Sequence, residues 1–359
     1  MENFNDKPIK PIEIKGLIMK LKAIGLIVSG LLSVGLSTSS YANLKEDVIQ
    51  RGTLKCGISS DKMGFSYIND QGKWTGMDVD YCRAVAAAVL GDPEKVEYIT
   101  TTSKNRFTSL ASGEIDILSR STTWTVSRDA KLGADFTTIW FYDGQGFMTR
   151  KSLGVKSAAE LDGATFCLSP GTTSEHNLAD YFGSKGLTYR SVVFEKTEEL
   201  YAAYQKGRCD ALTNDVTGLA ARRTLFKKPD EHIILPEVIS KEPLGAYVKQ
   251  GDNEWRDIVT MVGNALIEAE ELNVTQQNAD ELAKSSSAKP AIKRLLGSEG
   301  SLGTDLGLSQ DWALKAIEAT GNYGEIFAHH VGLNSPLKFE RGANALYTNG
   351  GLMYAPPFR

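Results

Sequence analysis

The chain has 359 residues, 42% of them hydrophobic, and carries 40 basic against 44 acidic side chains for a net charge of −4. That length suits two domains. The mildly acidic balance argues against a nucleic-acid partner.

The first residues read as a leader and not as part of a fold. Mixed, charged sequence runs to Leu21, Lys22 opens an apolar run of 14 residues from Ala23 to Leu36, and Ser40-Tyr41-Ala42 supplies a small-x-small cleavage site. This is the pattern of a secretory signal peptide over residues 1–42, with Met19 an alternative start because Lys20 and Lys22 make a compact positive region. The apolar run is short of the roughly 20 residues needed to span a membrane. The nearest following cysteine, Cys56, is too distant for a lipid anchor. A mature chain of residues 43–359, with 35 basic and 41 acidic side chains, is therefore expected to be exported and soluble. Its four cysteines, Cys56, Cys82, Cys167 and Cys209, would enter an oxidising compartment, where an even count favours disulfides in one of three connectivities. Zinc is the rival use, but no CxxC occurs and His176, His232, His329 and His330 lack ligand spacing. No metal and no cofactor are expected.

Gly52–Ile58 reads as a first strand ending in the polar turn Ser59–Lys62, with Phe65, Tyr67 and a Gly-bounded turn containing Trp74 after it. Met77–Leu90 has the spacing of an amphipathic helix, capped by Asp78 and stopped by Gly91-Asp92-Pro93. Val96–Thr100 is a second strand, Arg106–Ala111 a short helix and Ile115–Leu118 a third strand. Such alternation indicates an α/β fold with a parallel sheet.

The stretch after that strand, SRSTTWTVSRDAKLGADF from Ser119 to Phe136, carries six small hydroxyls before Arg128. Hydroxyls at a strand's end followed by a guanidinium suit a carboxylate, which the planar fork of arginine grips through two bonds. A plain Ser/Thr-rich loop with a surface arginine is the simpler alternative.

The pattern then recurs. Ala164–Leu168 is a strand, Ser169–Ser174 a small-residue loop, Glu175–Phe182 a helix, Val192–Phe194 a strand and Thr197–Gln205 a helix. The turn Lys206-Gly207-Arg208-Cys209-Asp210 into Ala211-Leu212 echoes Ser112-Gly113-Glu114-Ile115-Asp116 into Ile117-Leu118, 94 residues earlier. Two lobes of similar build follow. Extended stretches at Gly144–Thr149 and Pro243–Lys249 are candidates for the two crossings of a hinge. Trp255–Leu272 is a long amphipathic helix expected on the first lobe, Ala279–Leu296 is expected to be helical, and Gly297–Gly307 is a Gly/Ser-rich loop. Ser309–Thr320 is a final helix, and residues 321–359 are expected to be irregular but held by packing.

Taken together, SRSTTWTVSRDA, the Cys-bearing GRCDALTND and the tail GGLMYAPPFR resemble the polar amino-acid-binding proteins of ABC importers, solute-binding family 3, over residues 50–295, and within it the general L-amino-acid-binding subgroup. The resemblance implies the type II periplasmic-binding-protein fold, an α/β architecture of two lobes joined by a two-strand hinge. The first lobe would span residues 43–145, the second 146–246, a return to the first 247–300, and an extension packed on it 301–359. It also implies a free L-amino acid ligand of broad range, an inner-membrane ABC permease as partner, a periplasmic location and a monomer. Carried over by position, Arg128 would grip the ligand α-carboxylate, and Ser121 and Thr123 would bind its carboxylate and ammonium. Thr172 and Thr173 would add amide donors, and Asp215 would receive the ammonium. Thr172 and Thr173 also open a helix, whose free N–H groups favour an anion, and Asp215 ends a strand, where ligands of open α/β sheets sit.

The side-chain pocket is drawn from Ser59, Lys62, Phe65, Trp124 and Asn214, with the aromatic Phe65 as either pocket wall or core. Ser121 stands where relatives often have Gly, and Trp124 where an aliphatic residue is usual. Because a bridge between lobes would lock the hinge, the resemblance favours Cys56–Cys82 and Cys167–Cys209. The rival on the same fold is a cyclohexadienyl or arogenate dehydratase, which needs a titratable group tuned near neutrality. Only His176 is near, and its helix is expected to turn it outward.

Overall fold

A computed structural model describes residues 43–359, and the leader expected over residues 1–42, with its alternative start at Met19, lies outside the described residues. Among the described residues no helix is long and apolar enough to cross a membrane.

Helix α1 (Leu44–Arg51) leads into strand β1 (Leu54–Ile58) and a small antiparallel ribbon, β2 (Asp61–Lys62), β3 (Ser66–Ile68) and β4 (Trp74–Thr75). Gly76, at φ 129°, starts helix α2 (Met77–Leu90), and a Cβ there would lie 2.1 Å from the Phe65 carbonyl oxygen, so only glycine fits. Asp78 does not cap this helix as expected. It lies in the first turn, buried, and its carboxylate accepts a 2.7 Å bond from the Ser121 hydroxyl. The helix thus sets a carboxylate behind the hydroxyl-rich stretch.

Strand β5 (Val96–Thr100), helix α3 (Arg106–Ser112), strand β6 (Ile117–Thr123), helix α4 (Val126–Lys131) and strand β7 (Ala134–Asp143) complete the first pass through lobe one. The chain then builds a second sheet from β8 (Gln145–Arg150), β9 (Thr165–Leu168), β10 (Arg190–Val193), β11 (Ala211–Asp215) and β12 (His232–Ile234). Helices α5 (Thr173–Ser184), α6 (Thr197–Gln205) and α7 (Val216–Thr224) connect them. Strand β13 (Glu242–Lys249) returns to the first sheet. The sheet orders are β5-β1-β6-β13-β7 and β10-β9-β11-β8-β12. In each, parallel strands are joined by an antiparallel strand next to the central one. The echo in sequence is an echo in backbone: Gly113 and Gly207 take left-handed φ values of 77° and 78° at equivalent turns.

The chain changes sheets at Gly144 and again in residues 235–241, and the stretch Pro243–Lys249 expected as the second crossing is already part of strand β13, which pairs with β7 and β6. On this pairing we propose these two crossings as the lobe boundaries. The crossings touch: a Cβ on Gly144 would lie 2.2 Å from the Val238 side chain. Each disulfide lies within one lobe, Cys56–Cys82 tying β1 to α2 and Cys167–Cys209 tying β9 to the approach to β11.

Helix α8 (Asn253–Glu271) buries Trp255, Ile258, Val262 and Leu266 against lobe one. The single helix expected over 279–296 is broken into α9 (Ala279–Lys284) and α10 (Pro290–Leu295), because Pro290 has no N–H to continue a helix and is suited to start one. A short helix α11 (Leu302–Asp305) interrupts the Gly/Ser-rich loop, and α12 (Trp312–Thr320) follows. The tail is less irregular than expected. Helix α13 (Tyr323–His330) opens with a capping box between Asn322 and Glu325 and buries Tyr323 and Phe327. Beyond it Asn344 bonds both the N–H and C=O of Tyr142 at the end of β7, at 2.7 and 3.0 Å.

Lobe one therefore has one large core that runs from Cys56 and Tyr81 through Trp255 to Trp312 and Phe327, and a smaller one of Leu110, Ile115, Leu118, Phe136 and Tyr247. Lobe two has two thin ones, because alternate residues of its strands face opposite sides: Phe147, Phe166 and Ala211 one way, Met148, Cys167 and Leu212 the other.

Candidate functional site

The carboxyl ends of the two sheets face each other across a cleft lined from both lobes. Lobe one contributes Ser59, Asp61, Lys62, Ser103, Arg106, Arg120, Ser121, Thr123 and Arg128. Lobe two contributes Ser169, Thr172, Thr173, Ser174, Tyr201, Asn214, Asp215 and Arg222.

Strand β6 delivers the hydroxyls. Ser121 holds a left-handed backbone, φ 43°, which costs a non-glycine residue on the order of 1–2 kcal/mol. Its hydrogen bond to Asp78 offsets part of that cost and keeps the hydroxyl oriented. Burial pushes the Asp78 carboxyl up in pKa, and the Ser121 hydroxyl works against that. Thr123 donates its hydroxyl to Glu242, and its carbonyl accepts from Arg128 Nη1 at 2.8 Å and Tyr247 Oη at 2.9 Å.

Arg128 stands in the first turn of α4, which Thr125 caps by accepting the Arg128 N–H. Its guanidinium is buried, lies 5.6 Å from the Phe107 ring centre and spends one donor on Thr123. Two more arginines converge on it. Arg106, 4% exposed, reaches Thr122 at 3.4 Å and leaves its Nε–H without a partner. Arg120 bonds the Thr101 carbonyl at 3.0 Å. Burial pulls the pKa of all three down, and for Arg106 and Arg120 the neighbouring guanidiniums add to it. Three guanidiniums gathered in one cleft, one of them with a buried N–H lacking an acceptor, can receive an anion.

From lobe two, Thr172 caps α5 by accepting the Glu175 N–H, so the amides of the first turn point toward the cleft end of that helix. Thr173 donates its hydroxyl to Glu242 at 3.1 Å. Glu242, 1% exposed at the second crossing, also accepts from Asn177 at 2.9 Å and Ser240 at 2.6 Å. It therefore clamps Thr123 of one lobe to Thr173 of the other. Asp215 ends β11, buried, and accepts from Lys62 Nζ of lobe one at 2.9 Å. At the first crossing Asp143 accepts from Thr217, and burial with the nearby Asp215 charge pushes its carboxyl up to about 7.

Ser121, Thr123, Arg128, Thr172, Thr173 and Asp215 all line this one cleft, as do Ser59, Lys62 and Asn214. Two expected pocket residues do not. Phe65 is 1% exposed, edge-on to Phe141 in the lobe-one core, and meets the cleft only as the ring beneath Lys62. Trp124 is 46% exposed and stacks flat on Phe136 at 4.9 Å, turned away because strand alternation sends it opposite to Thr123. Arg106, Arg120, Arg222 and Tyr201 were not foreseen. Arg222 lies 4.2 Å over the Tyr201 ring, whose hydroxyl burial pushes up to about 12. Arg120 sat inside the hydroxyl-rich motif and could have been found there; the others are lone residues on helices. His176 is exposed and does not line the cleft. Among the described residues no three His, Cys, Asp or Glu side chains are grouped to hold a metal ion.

The model of bacterial extracellular solute-binding proteins, family 3, matches residues 54–278. The chain is 54% identical over 344 residues to the general L-amino acid-binding periplasmic protein AapJ of Rhizobium johnstonii, covering 95% of this chain and all of that one. It is 50% identical over 321 residues to the glutamate/glutamine/aspartate/asparagine-binding protein BztA of Rhodobacter capsulatus, covering 89% and 95%. Among solved structures, a periplasmic binding protein from Brucella ovis with glutathione bound aligns at a TM-score of 0.85 and 52% identity, over 89% of this chain and all of that one.

Proposed function

The chain belongs to the bacterial extracellular solute-binding proteins of family 3, and on that premise we propose that it is the periplasmic receptor of an ABC importer for L-amino acids, broad in range. The observation that carries the proposal is the opposition of charge across the cleft, with Arg128 on lobe one and Asp215 on lobe two. A zwitterion needs one cation and one anion. Its α-carboxylate would take the free donors of Arg128 and the amides at the start of α5, where N–H groups and dipole favour an anion. Its ammonium would take Asp215. Neither lobe satisfies the ligand alone, so binding favours the arrangement in which both touch it.

The breadth of AapJ and BztA, as their names give it, fits a cleft that carries both signs of charge besides Arg128 and Asp215. Arg106 and Arg222 each have a buried Nε–H without a partner, and Asp61 has a buried oxygen without one. Side chains of either charge would find a counterpart there, and hydroxyls serve neutral ones. A closed receptor would then deliver its ligand to permease subunits in the inner membrane. His176, the group a dehydratase was expected to use, does not line the cleft, and the relatives are named as binding proteins.

A thermal-shift screen tests this. Protein refolded from denaturant, to strip carried ligand, is heated with each L-amino acid, several D-forms and simple sugars. A ligand at 100 times its dissociation constant adds about 2.7 kcal/mol. Shifts with many L-amino acids are expected; silence with all of them refutes the proposal.

A further inference from the structure

Asp215 already has an ammonium on it. Lys62 Nζ crosses the cleft from the β2–β3 turn and meets Asp215 Oδ2 at 2.9 Å, with both side chains largely shielded, at 17% and 10% exposure. The lysine is placed by its surroundings. Its ammonium lies 4.7 Å over the Phe65 ring, which the lobe-one core holds fixed, and its stem runs beside Gly218 at the start of α7, where there is no side chain to obstruct it. Lys62 and a ligand ammonium would therefore compete for one carboxylate.

We infer that Lys62 is a specificity-determining residue that lets the cleft bind carboxylates lacking an α-ammonium, namely 2-hydroxy and 2-oxo acids, alongside amino acids. This rests on the proposal that Asp215 receives the ligand ammonium. In a cleft without the lysine, a 2-hydroxy acid would shut Asp215 away from water with no cationic partner, and an uncompensated buried charge weakens binding by a factor of 100 or more, on the order of what breaking a buried ion pair does. With Lys62 on Asp215 that penalty is absent. An amino acid, bringing its own ammonium, has to displace or share the lysine, so for amino acids Lys62 is an opponent. The same side chain thus loosens the demand for an α-ammonium and weakens the ligands that have one.

Calorimetric titration of wild type, Lys62→Met and Asp215→Asn with L-alanine and with L-lactate tests the inference. The two ligands share a carboxylate and a methyl and differ in ammonium against hydroxyl. Methionine keeps the unbranched stem over Phe65, and Lys62→Gln, with far-UV circular dichroism and a melting curve, guards against a folding defect in either variant. Wild type is expected to bind L-lactate within about tenfold of L-alanine. In Lys62→Met, L-lactate should weaken about 100-fold, while L-alanine tightens several-fold. Unchanged L-lactate affinity in Lys62→Met, L-lactate silence in wild type, or weaker L-alanine in Lys62→Met each overturns the role given to Lys62. The Asp215→Asn protein separates the two levels. If the alanine-to-lactate ratio falls there but does not move in Lys62→Met, only the lysine inference fails; if Asp215→Asn leaves the ratio unchanged, the ammonium assignment of Asp215 fails with it.

Discussion

Lobe one faces the cleft with three arginines and stands on a large core and a smaller one, whereas lobe two faces it with a helix start and a carboxylate standing on two thin cores. The difference follows from the chain path. Lobe one is built from both ends of the sequence and gains α8 to α13, so Tyr81, Trp255, Trp312 and Phe327 pack into one continuous cluster. Lobe two is a single excursion of about a hundred residues between Gly144 and Glu242, and its five-stranded sheet must share its apolar side chains between two faces. The arginines are not set in the large core: Arg106 and Arg128 both lie over the Phe107 ring, which packs on the smaller lobe-one cluster. Lobe one has the heavier core and lobe two the lighter ones.

The largest expected effect tests lobe one. Arg128→Ala should remove measurable amino-acid binding, because a buried carboxylate left without its partner costs on the order of 3–5 kcal/mol. Titration calorimetry reads it directly, and near-native affinity would mean that Arg106 or Arg120 holds the carboxylate instead.

The next effect compares the halves as folded bodies. The lobe-two disulfide spans 42 residues and the lobe-one disulfide 26. Loop-closure entropy gives about 4 kcal/mol for the first and about 3.5 kcal/mol for the second. Because lobe two has less core to fall back on, Cys167→Ser with Cys209→Ser should uncouple its melting from that of lobe one, and Cys56→Ser with Cys82→Ser should not. Scanning calorimetry showing one transition in both variants would contradict the difference in core strength.

On the proposed reading lobe two supplies the ammonium acceptor, and Asp215→Asn should weaken L-amino acids by about 1.5–3 kcal/mol, the range for a hydrogen bond to a charged group. An affinity unchanged by the substitution would remove lobe two from the recognition of the ammonium.

The last effect belongs to the joint between the halves. Asp143 has its pKa raised from 3.8 to about 7 by burial and by Asp215, so the folded protein takes up a proton there that the unfolded chain does not. Its contribution to stability is therefore greatest at acid pH, falls as pH rises from about 4 to 7 and is level above. Asp143→Asn should melt closer to wild type at pH 5 than at pH 8, where it should be the more stable protein. An equal difference at the two pH values would mean that Asp143 is ionised throughout.

Much of this comparison is readable from the residues alone. The recurring helix–Gly–x–x–Asp–strand unit announces two lobes, and Arg128 with its run of hydroxyls and Asp215 at a strand end point to the cleft they line. What is not readable depends on contacts between distant segments. Arg106 looks like the first residue of an ordinary short helix, and only the fold brings it beside Arg120 and Arg128. Trp124 and Thr123 are neighbours in sequence, yet alternation along β6 sends one to Phe136 and the other to the hinge at Glu242. The helix Tyr323–His330 was hidden by the glycines and prolines around it, although its capping box, Asn322 with Glu325, was a local signal in plain view. Asp78 reads as a helix cap in one dimension and is a support for Ser121 in three.

The most direct test of the zwitterion bridge is a crystal structure of the refolded protein with L-alanine bound. The account predicts the α-carboxylate on Arg128 and the first amides of α5, and the ammonium within about 3.2 Å of Asp215. A ligand bound in the opposite sense, or held by one lobe alone, would contradict it.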